Sequence, residues 1–227
     1  MRSRFDTQLE ELNKEMITMG MLCETAIAKV AHALTKGDLA LAKTLPELAV
    51  QIKHKERDIE NRCLRLLLRQ QPVAQDLRTV SSALKMITDM ERIGDQSSDI
   101  ADIVLAAEIT EAGKDLPVSA MAEAVIKMVT ESIDAFVKKD ANTARSVIKY
   151  DDVVDEAFLT VKTALIRQLN QSQTDGEYAL DLLMIAKYFE RIGDHAVNIA
   201  KWVLFSITGN HDSDEPGDDT ASNESDD

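Results

Sequence analysis

The hexapeptide Met90-Glu91-Arg92-Ile93-Gly94-Asp95 returns 99 residues later as Phe189-Glu190-Arg191-Ile192-Gly193-Asp194. The likeness runs on, with Asp99-Ile100-Ala101 facing Asn198-Ile199-Ala200 and Val104-Leu105 facing Val203-Leu204. Upstream, Glu56-x-x-x-Glu60 faces Asp151-x-x-x-Asp155 at an offset of 95. Ala33-Leu34-Thr35-Lys36-Gly37-Asp38 faces Ala135-Phe136-Val137-Lys138-Lys139-Asp140 at 102. Three matches in one order, with offsets drifting only from 95 to 102, mark one structural unit used twice with small changes in loop length.

That unit is helical. The 227 residues hold only 8 glycines, 4 prolines and 4% aromatics, against 44% hydrophobic and 29% charged residues. Such a composition suits long helices, not a sandwich or a barrel. Breaks fall at Lys36-Gly37-Asp38, Gln71-Pro72, Glu111-Ala112-Gly113, Lys139-Asp140, Ser172 to Gly176, and Gly209. They delimit six helices over about 3–36, 38–71, 73–109, 115–139, 141–171 and 175–208. Pro72 and Pro117 suit first-turn positions. Pro46 is a misfit in a continuous second helix: it kinks that helix or marks its true start, with Thr44 as the cap. Helices of about 35 residues extend roughly 50 Å and need lateral support. The expected fold is all-α: two tandem three-helix bundles, six long antiparallel helices related by an internal pseudo-twofold repeat. The first unit covers 1–110, the second 114–208, and 210–227 is a tail.

The formal net charge is −14, and the tail alone carries eight acidic residues with no Lys or Arg, which leaves −6 for residues 1–209. A segment so charged cannot bury enough apolar surface to offset its ordering entropy, so disorder is expected there. Nucleic acid and anionic membrane surfaces are disfavoured partners, because both need clustered Lys and Arg. No run approaches the roughly 18 apolar residues of a membrane span. The opening residues lack the apolar core of a signal peptide. Cys23 and Cys63, without C-x-x-C spacing, read as reduced core thiols. A cytoplasmic protein that is not membrane-embedded is expected.

The core stripe is plainest in the last helix, where Leu182, Ile185, Phe189, Ile192, Ala196, Ile199 and Val203 follow the 3-4 spacing of a bundle seam. Ala83, Met86, Met90, Ile93, Ser97, Ile100 and Val104 hold the same places in the first copy. Projected at 100° per residue, Glu190, Asp194 and Asn198 form an i, i+4, i+8 row on the outward side of that helix, and Glu91, Asp95 and Asp99 form its counterpart. On the preceding helices, Asp151 and Asp155, and Glu56 and Glu60, flank the apolar stripe.

Like charges at i, i+4 cost a helix a few tenths of a kcal/mol per pair, and an interior glycine costs about 1 kcal/mol. Yet Gly94 and Gly193 sit inside both rows. Two neighbouring acid rows can bind divalent or trivalent cations, and all-oxygen ligand sets suit hard ions such as Mg, Mn, Ca or Fe(III). A solvated face neutralised by Arg92 and Arg191, or a protein docking surface, accounts for the same pattern, and close helix approach accounts for the glycines. His195 projects off the acid row, with Gln96 at its place in the first copy, and reads as structural. Phosphate-binding, dinucleotide, nucleophile-elbow and zinc-protease motifs are all missing from the sequence. A carboxylate-bridged metal oxidase would show Glu-x-x-His on two helices, but Glu91-Arg92-Ile93-Gly94 and its repeat end in glycine.

The chain resembles the PhoU family over residues 1 to about 208. The resemblance rests on Met1-x-Arg-x-Phe5, on Gln71-Pro72-Val73-Ala74-Gln75-Asp76-Leu77-Arg78, and on both Glu-Arg-Ile-Gly-Asp segments. It implies two three-helix bundles with surface metal clusters, of iron or zinc in some members and Mg or Mn in others. Carried over by position, one site would be Glu56, Glu60, Glu91, Asp95 and Asp99. The other would be Asp151, Asp155, Glu190, Asp194 and Asn198. Two departures stand out: Glu60 is longer than the usual Asp, and Asn198 lacks the charge that Asp99 supplies. The family role implied is regulatory, not catalytic: a homodimeric adaptor between the ATPase subunit of a phosphate ABC transporter and a sensor histidine kinase. Such an adaptor restrains uptake and signalling when phosphate is plentiful. Service to another phosphate permease is the alternative within the family.

Overall fold

The computed structural model describes residues 2–70, 74–109, 116–171 and 175–210. The chain forms helices α1 (Arg2–Lys36), α2 (Leu39–Ala42), α3 (Leu45–Gln70), α4 (Ala74–Ala106), α5 (Val118–Lys138), α6 (Ala141–Asn170) and α7 (Gly176–Thr208). No strand occurs among the described residues. The Gln71-Pro72 turn, the Glu111-Ala112-Gly113 break and the acidic tail from His211 onward lie outside those residues.

The helix ends follow from local chemistry. Gly37, at φ +66°, turns the chain after α1, and Asp38 caps α2 by accepting from the Leu41 amide at 2.9 Å. Asp140 caps α6 through the amides of Asn142 and Thr143, and Asp175 caps α7 through those of Glu177 and Tyr178. Gly209, at φ +82°, closes α7. The expected second helix, 38–71, is divided. Pro46 stands in the first turn of α3, where its missing N–H costs nothing, and the residues before it break away into α2. Thr44 turns its hydroxyl back to the Leu41 carbonyl at 2.8 Å. The third helix ends at Ala106, three residues short of expectation, because Glu108 adopts a left-handed conformation and returns the buried Ile109 to the Val104 carbonyl.

In the first half α3 and α4 pack on α1, and in the second α5, α6 and α7 pack on one another. The halves join through α1 against α5 and α4 against α7. Four central helices therefore close a ring of neighbours, with α3 and α6 laid on opposite flanks. Every member of both predicted stripes is buried. By length and composition α1 is apolar enough for a membrane span, nearer to one than the sequence reading allowed. In the fold it contributes Leu12, Met16, Met19, Cys23, Ile27 and Leu34 to the core.

Antiparallel register in the α4–α7 seam is fixed by side chains. Gln96 Nε2 meets His195 Nε2 at 3.1 Å, and Asn198 donates to Asp89 Oδ1 at 3.3 Å. The Tyr188 hydroxyl donates to Asp99. An offset of 99 turns Asp89 into Tyr188, Asp99 into Asn198 and Gln96 into His195. The two outer contacts are thus images of one another, and the Gln96–His195 pair lies on the pseudo-twofold axis itself.

The repeat exposes a local strain. Gly37 of the first copy corresponds to Lys139 of the second, which is held at φ +54° and ψ +44°. A side chain there costs about 1 kcal/mol. Lys139→Gly is expected to raise stability by about 0.5–1 kcal/mol in chemical denaturation; a loss of that size would mean that the αL turn is not strained.

Candidate functional site

In the acid rows of the inner helices Glu91, Asp99 and Glu190 are partly buried, while Asp95, Asp194 and Asn198 are exposed. Each row is flanked by the outer helix of its own half, so the carboxylates meet another acid row across a helix seam. The glycines make this possible. A Cβ on Gly94 would stand 2.8 Å from Ile52 Cδ1, so α3 lies close against α4 there. A Cβ on Gly193 would stand 3.1 Å from Asp151 Oδ1: the carboxylate of α6 rests over the backbone of α7, beside Asp194. Close approach accounts for both glycines, against a side chain in the first half and a carboxylate in the second.

The second ridge is the tighter. Burial pushes the Asp151 carboxyl from its ordinary 3.8 up to about 6, helped by Asp155, Asp194, Asp152 and Glu190 in that order. Four predicted positions therefore act on one another across α6 and α7, and Asp152 joins them unforeseen. The Glu190 side chain is only 15% exposed, and Lys187, one turn earlier, ion-pairs with it. The oxygen it meets, Oε2, is buried, and the Lys187 ammonium is its partner. Lys187 also lies 5.4 Å from the centroid of the Phe158 ring on α6. Asn198 is turned away from this group, because its amide serves Asp89 across the seam.

In the first ridge, burial raises the Glu56 carboxyl, followed by the charges of Glu91 and Glu60, while Arg57 and Lys53 oppose the rise. Lys53 Nζ stands 3.3 Å from Glu91 Oε1, whose side chain is 20% exposed. Asp99 is raised by burial, then by Asp95 and Asp102, and is held back by Arg191 and the Tyr188 hydroxyl of the other half. Asp95, Asp99, Arg92 and Arg191 line a cavity of about 370 Å³ with Pro46, Ala49, Gln96 and Ser98. Glu56, Glu60 and Glu91 thus form one group, while Asp95 and Asp99 extend it toward the arginines at the seam.

The third member of each row belongs to the α4–α7 seam, which projection of a single helix cannot reveal. His195 is structural, as its projection indicated: Nδ1 lies 2.8 Å from Asp89 Oδ1, and Nε2 meets Gln96. Trp202 packs edge-on to Phe205, with ring centroids 5.8 Å apart. Cys23 and Cys63 are buried free thiols, both pushed up by burial. Among the described residues, no three His, Cys, Asp or Glu side chains converge in metal-ligating geometry. The donor set nevertheless fits a hard cation in kind, because all its charged ligands are carboxylates.

Two stretches of the chain, 16–104 and 118–203, match the PhoU domain. A phosphate-specific transport system accessory protein PhoU homolog of Pseudomonas aeruginosa is 35% identical over 210 residues, covering 91% of this chain and 86% of that protein. The crystal structure of PhoU from Pseudomonas aeruginosa superposes with a TM-score of 0.83 at 34% identity, covering 91% of this chain and all of that one. That of the phosphate transport system regulatory protein PhoU from Streptococcus pneumoniae gives 0.84 at 26% identity, covering 91% and 98%.

The crowding in the second ridge has a signed pH dependence. Asp151 binds its proton more tightly folded than unfolded, so its stabilising contribution is complete below about pH 4 and is lost as pH rises through about 6. Asp151→Asn is expected to raise the thermal midpoint at pH 7.5, with the advantage vanishing near pH 4. An advantage of equal size at both pH values would rule out carboxylate crowding as its source.

Proposed function

The chain belongs to the PhoU family, and from that premise we propose that it is a regulatory accessory protein of a phosphate-specific transport system. In this reading a homodimer works at the cytoplasmic face of the membrane. It couples the ATPase subunit of the phosphate ABC transporter to a sensor histidine kinase, and restrains both when phosphate is plentiful. The relatives' names support the transport connection. The observation that carries the regulatory part is the pair of acid ridges, one in each half of the repeat, each with partly buried carboxylates among exposed ones.

A surface that stores like-charge repulsion is a poor choice for stability and a good one for a switch. Hydrogen bonds and aliphatic packing would hold α6 on α7 without Asp151 raised to about 6 in the seam. Glu56, Glu60, Glu91 and Asp95, extended by Asp99, would hold one cation. Asp151, Asp155, Glu190 and Asp194 would hold the other, with Asn198 beyond them. Mg, Mn, Fe or Zn there would supply the positive charge that turns mutual repulsion into shared ligation. The ridges run along the outside of the bundle, so this charge change falls where a partner protein would dock.

Metal content by elemental analysis after purification without chelator tests the site. Glu190→Gln with Asp194→Asn is expected to reduce bound metal while helical circular dichroism stays nearly unchanged; equal metal in both proteins would falsify the second-site assignment. Partner identity is tested by affinity purification of the chain at high and low phosphate. Recovery of the phosphate transporter ATPase is expected. Recovery of a different phosphate permease in its place would favour the alternative membership.

A further inference from the structure

We infer that the outer face of the α6–α7 hairpin is a docking groove for a cationic amphipathic helix of a partner protein. An apolar seat lies at the hairpin tip and an anionic one beyond it. The inference rests on the adaptor reading and names the chemistry of its partner, and it requires no bound metal.

Two contacts set the register of these antiparallel helices: Asp151 lies over Gly193, and the Lys187 ammonium lies near the Phe158 ring. Carried toward the turn, that register brings Leu159 beside Met184 and Ile166 beside Leu180, with Leu169 nearer the tip. All five side chains are 40–62% exposed. Leu159, Ile166 and Leu169 follow one helical row, at spacings of seven and three, and Leu180 and Met184 stand one turn apart. Single exposed leucines are ordinary on a protein surface, but five large apolar side chains on two facing rows mark a contact site. The fold itself does not require them. At the same places in the first copy, Ser81 stands for Leu180 and Lys85 for Met184.

The rows then run into the second acid ridge. Asp155 stands one turn before Leu159 on α6, and Glu190 and Asp194 follow Met184 and Lys187 along α7. Lys187 pairs with Glu190, whereas Asp151, Asp155 and Asp194 have no ion pair among the described residues. From Asp151 to Leu169 the face extends roughly 27 Å, room for a helix of about 18 residues. A helix laid along the groove with Leu or Ile anchors at one end and Lys or Arg at the other meets both seats. The charge pattern argues against nearer occupants. The chain's own tail, with eight acids and no Lys or Arg, is repelled by the ridge, as is an anionic bilayer. A second copy packed antiparallel sets acids on leucines, and one packed parallel sets acids on acids.

Fluorescence anisotropy in EDTA tests the groove with a labelled 18-residue peptide whose Leu stripe gives way halfway along to a Lys stripe. This peptide is expected to bind at least about tenfold more tightly than one of equal composition with Leu and Lys shuffled. Leu159→Ser/Leu180→Ser is expected to weaken it by about tenfold or more, the range for two apolar side chains already half buried. Asp155→Asn/Asp194→Asn is expected to weaken it and to flatten its salt dependence. Leu68→Ser, at the tip of the other hairpin, is expected to leave affinity within about twofold. Equal binding of both peptides, or binding unmoved in Leu159→Ser/Leu180→Ser, would overturn the groove. So would sedimentation equilibrium showing self-association that this double variant abolishes, because a second copy would then cover the leucines. A wild-type chain that binds the two-block peptide but recovers no transport protein would keep the groove and overturn the adaptor reading.

Discussion

Everything in this fold is arranged around the antiparallel packing of α4 on α7. The two helices carry the same Glu-Arg-Ile-Gly-Asp pentapeptide and cross so that each presents the same face to the other. At their crossing Gln96, 4% exposed, meets His195, its own counterpart in the repeat. Buried polar groups tolerate few alternatives, because an unpaired amide in this position costs about 1–3 kcal/mol. A register slip of one turn would separate Gln96 from His195, Asp89 from Asn198 and Asp99 from Tyr188 together. The seam thus specifies the pairing that apolar side chains alone would leave loosely defined.

Once that seam is set, the placement of the ridges follows. The central helices α1, α4, α7 and α5 bury their stripes in one core, and α3 and α6 are left to cover the flanks. Ile52 against Gly94 and Asp151 over Gly193 draw the outer helices in close. The acid rows then stand beside those of the neighbouring helix, and the raised carboxyls of Glu56 and Asp151 are the electrostatic result. The same close approach that completes the core therefore creates the charged surface. Close packing and carboxylate crowding thus arise within a single helix pair.

The sequence was legible where one helix decides the matter. The 3-4 spacing of Leu182 to Val203 identified a fully buried stripe, and the breaks read around Asp38, Asp140 and Gly176 fall where Asp38, Asp140 and Asp175 cap the helices that follow. Pro46 announced that α3 starts late, one of the two readings its chemistry permits. Features that need two helices were not legible. Asp99 and Asn198 share the outward face of their rows, but the other half of the protein claims them through Tyr188 and Asp89. Lys53 and Lys187 carry a faint signal, each standing three residues before a ridge glutamate, Glu56 and Glu190. Asp152 follows Asp151 directly, and only the tertiary placement of α6 gives its charge any weight on the cluster.

The central claim is that two opposed acid ridges, related by the pseudo-twofold axis, are cation sites. Anomalous diffraction at the manganese edge from crystals grown with Mn²⁺ tests it most directly. The account predicts anomalous peaks in both seams, beside Glu56, Glu60 and Glu91 and beside Asp151, Asp155, Glu190 and Asp194, superposed by the rotation that exchanges Gln96 with His195. Fully occupied Mn²⁺ elsewhere on the protein, with both seams free of anomalous density, would contradict it.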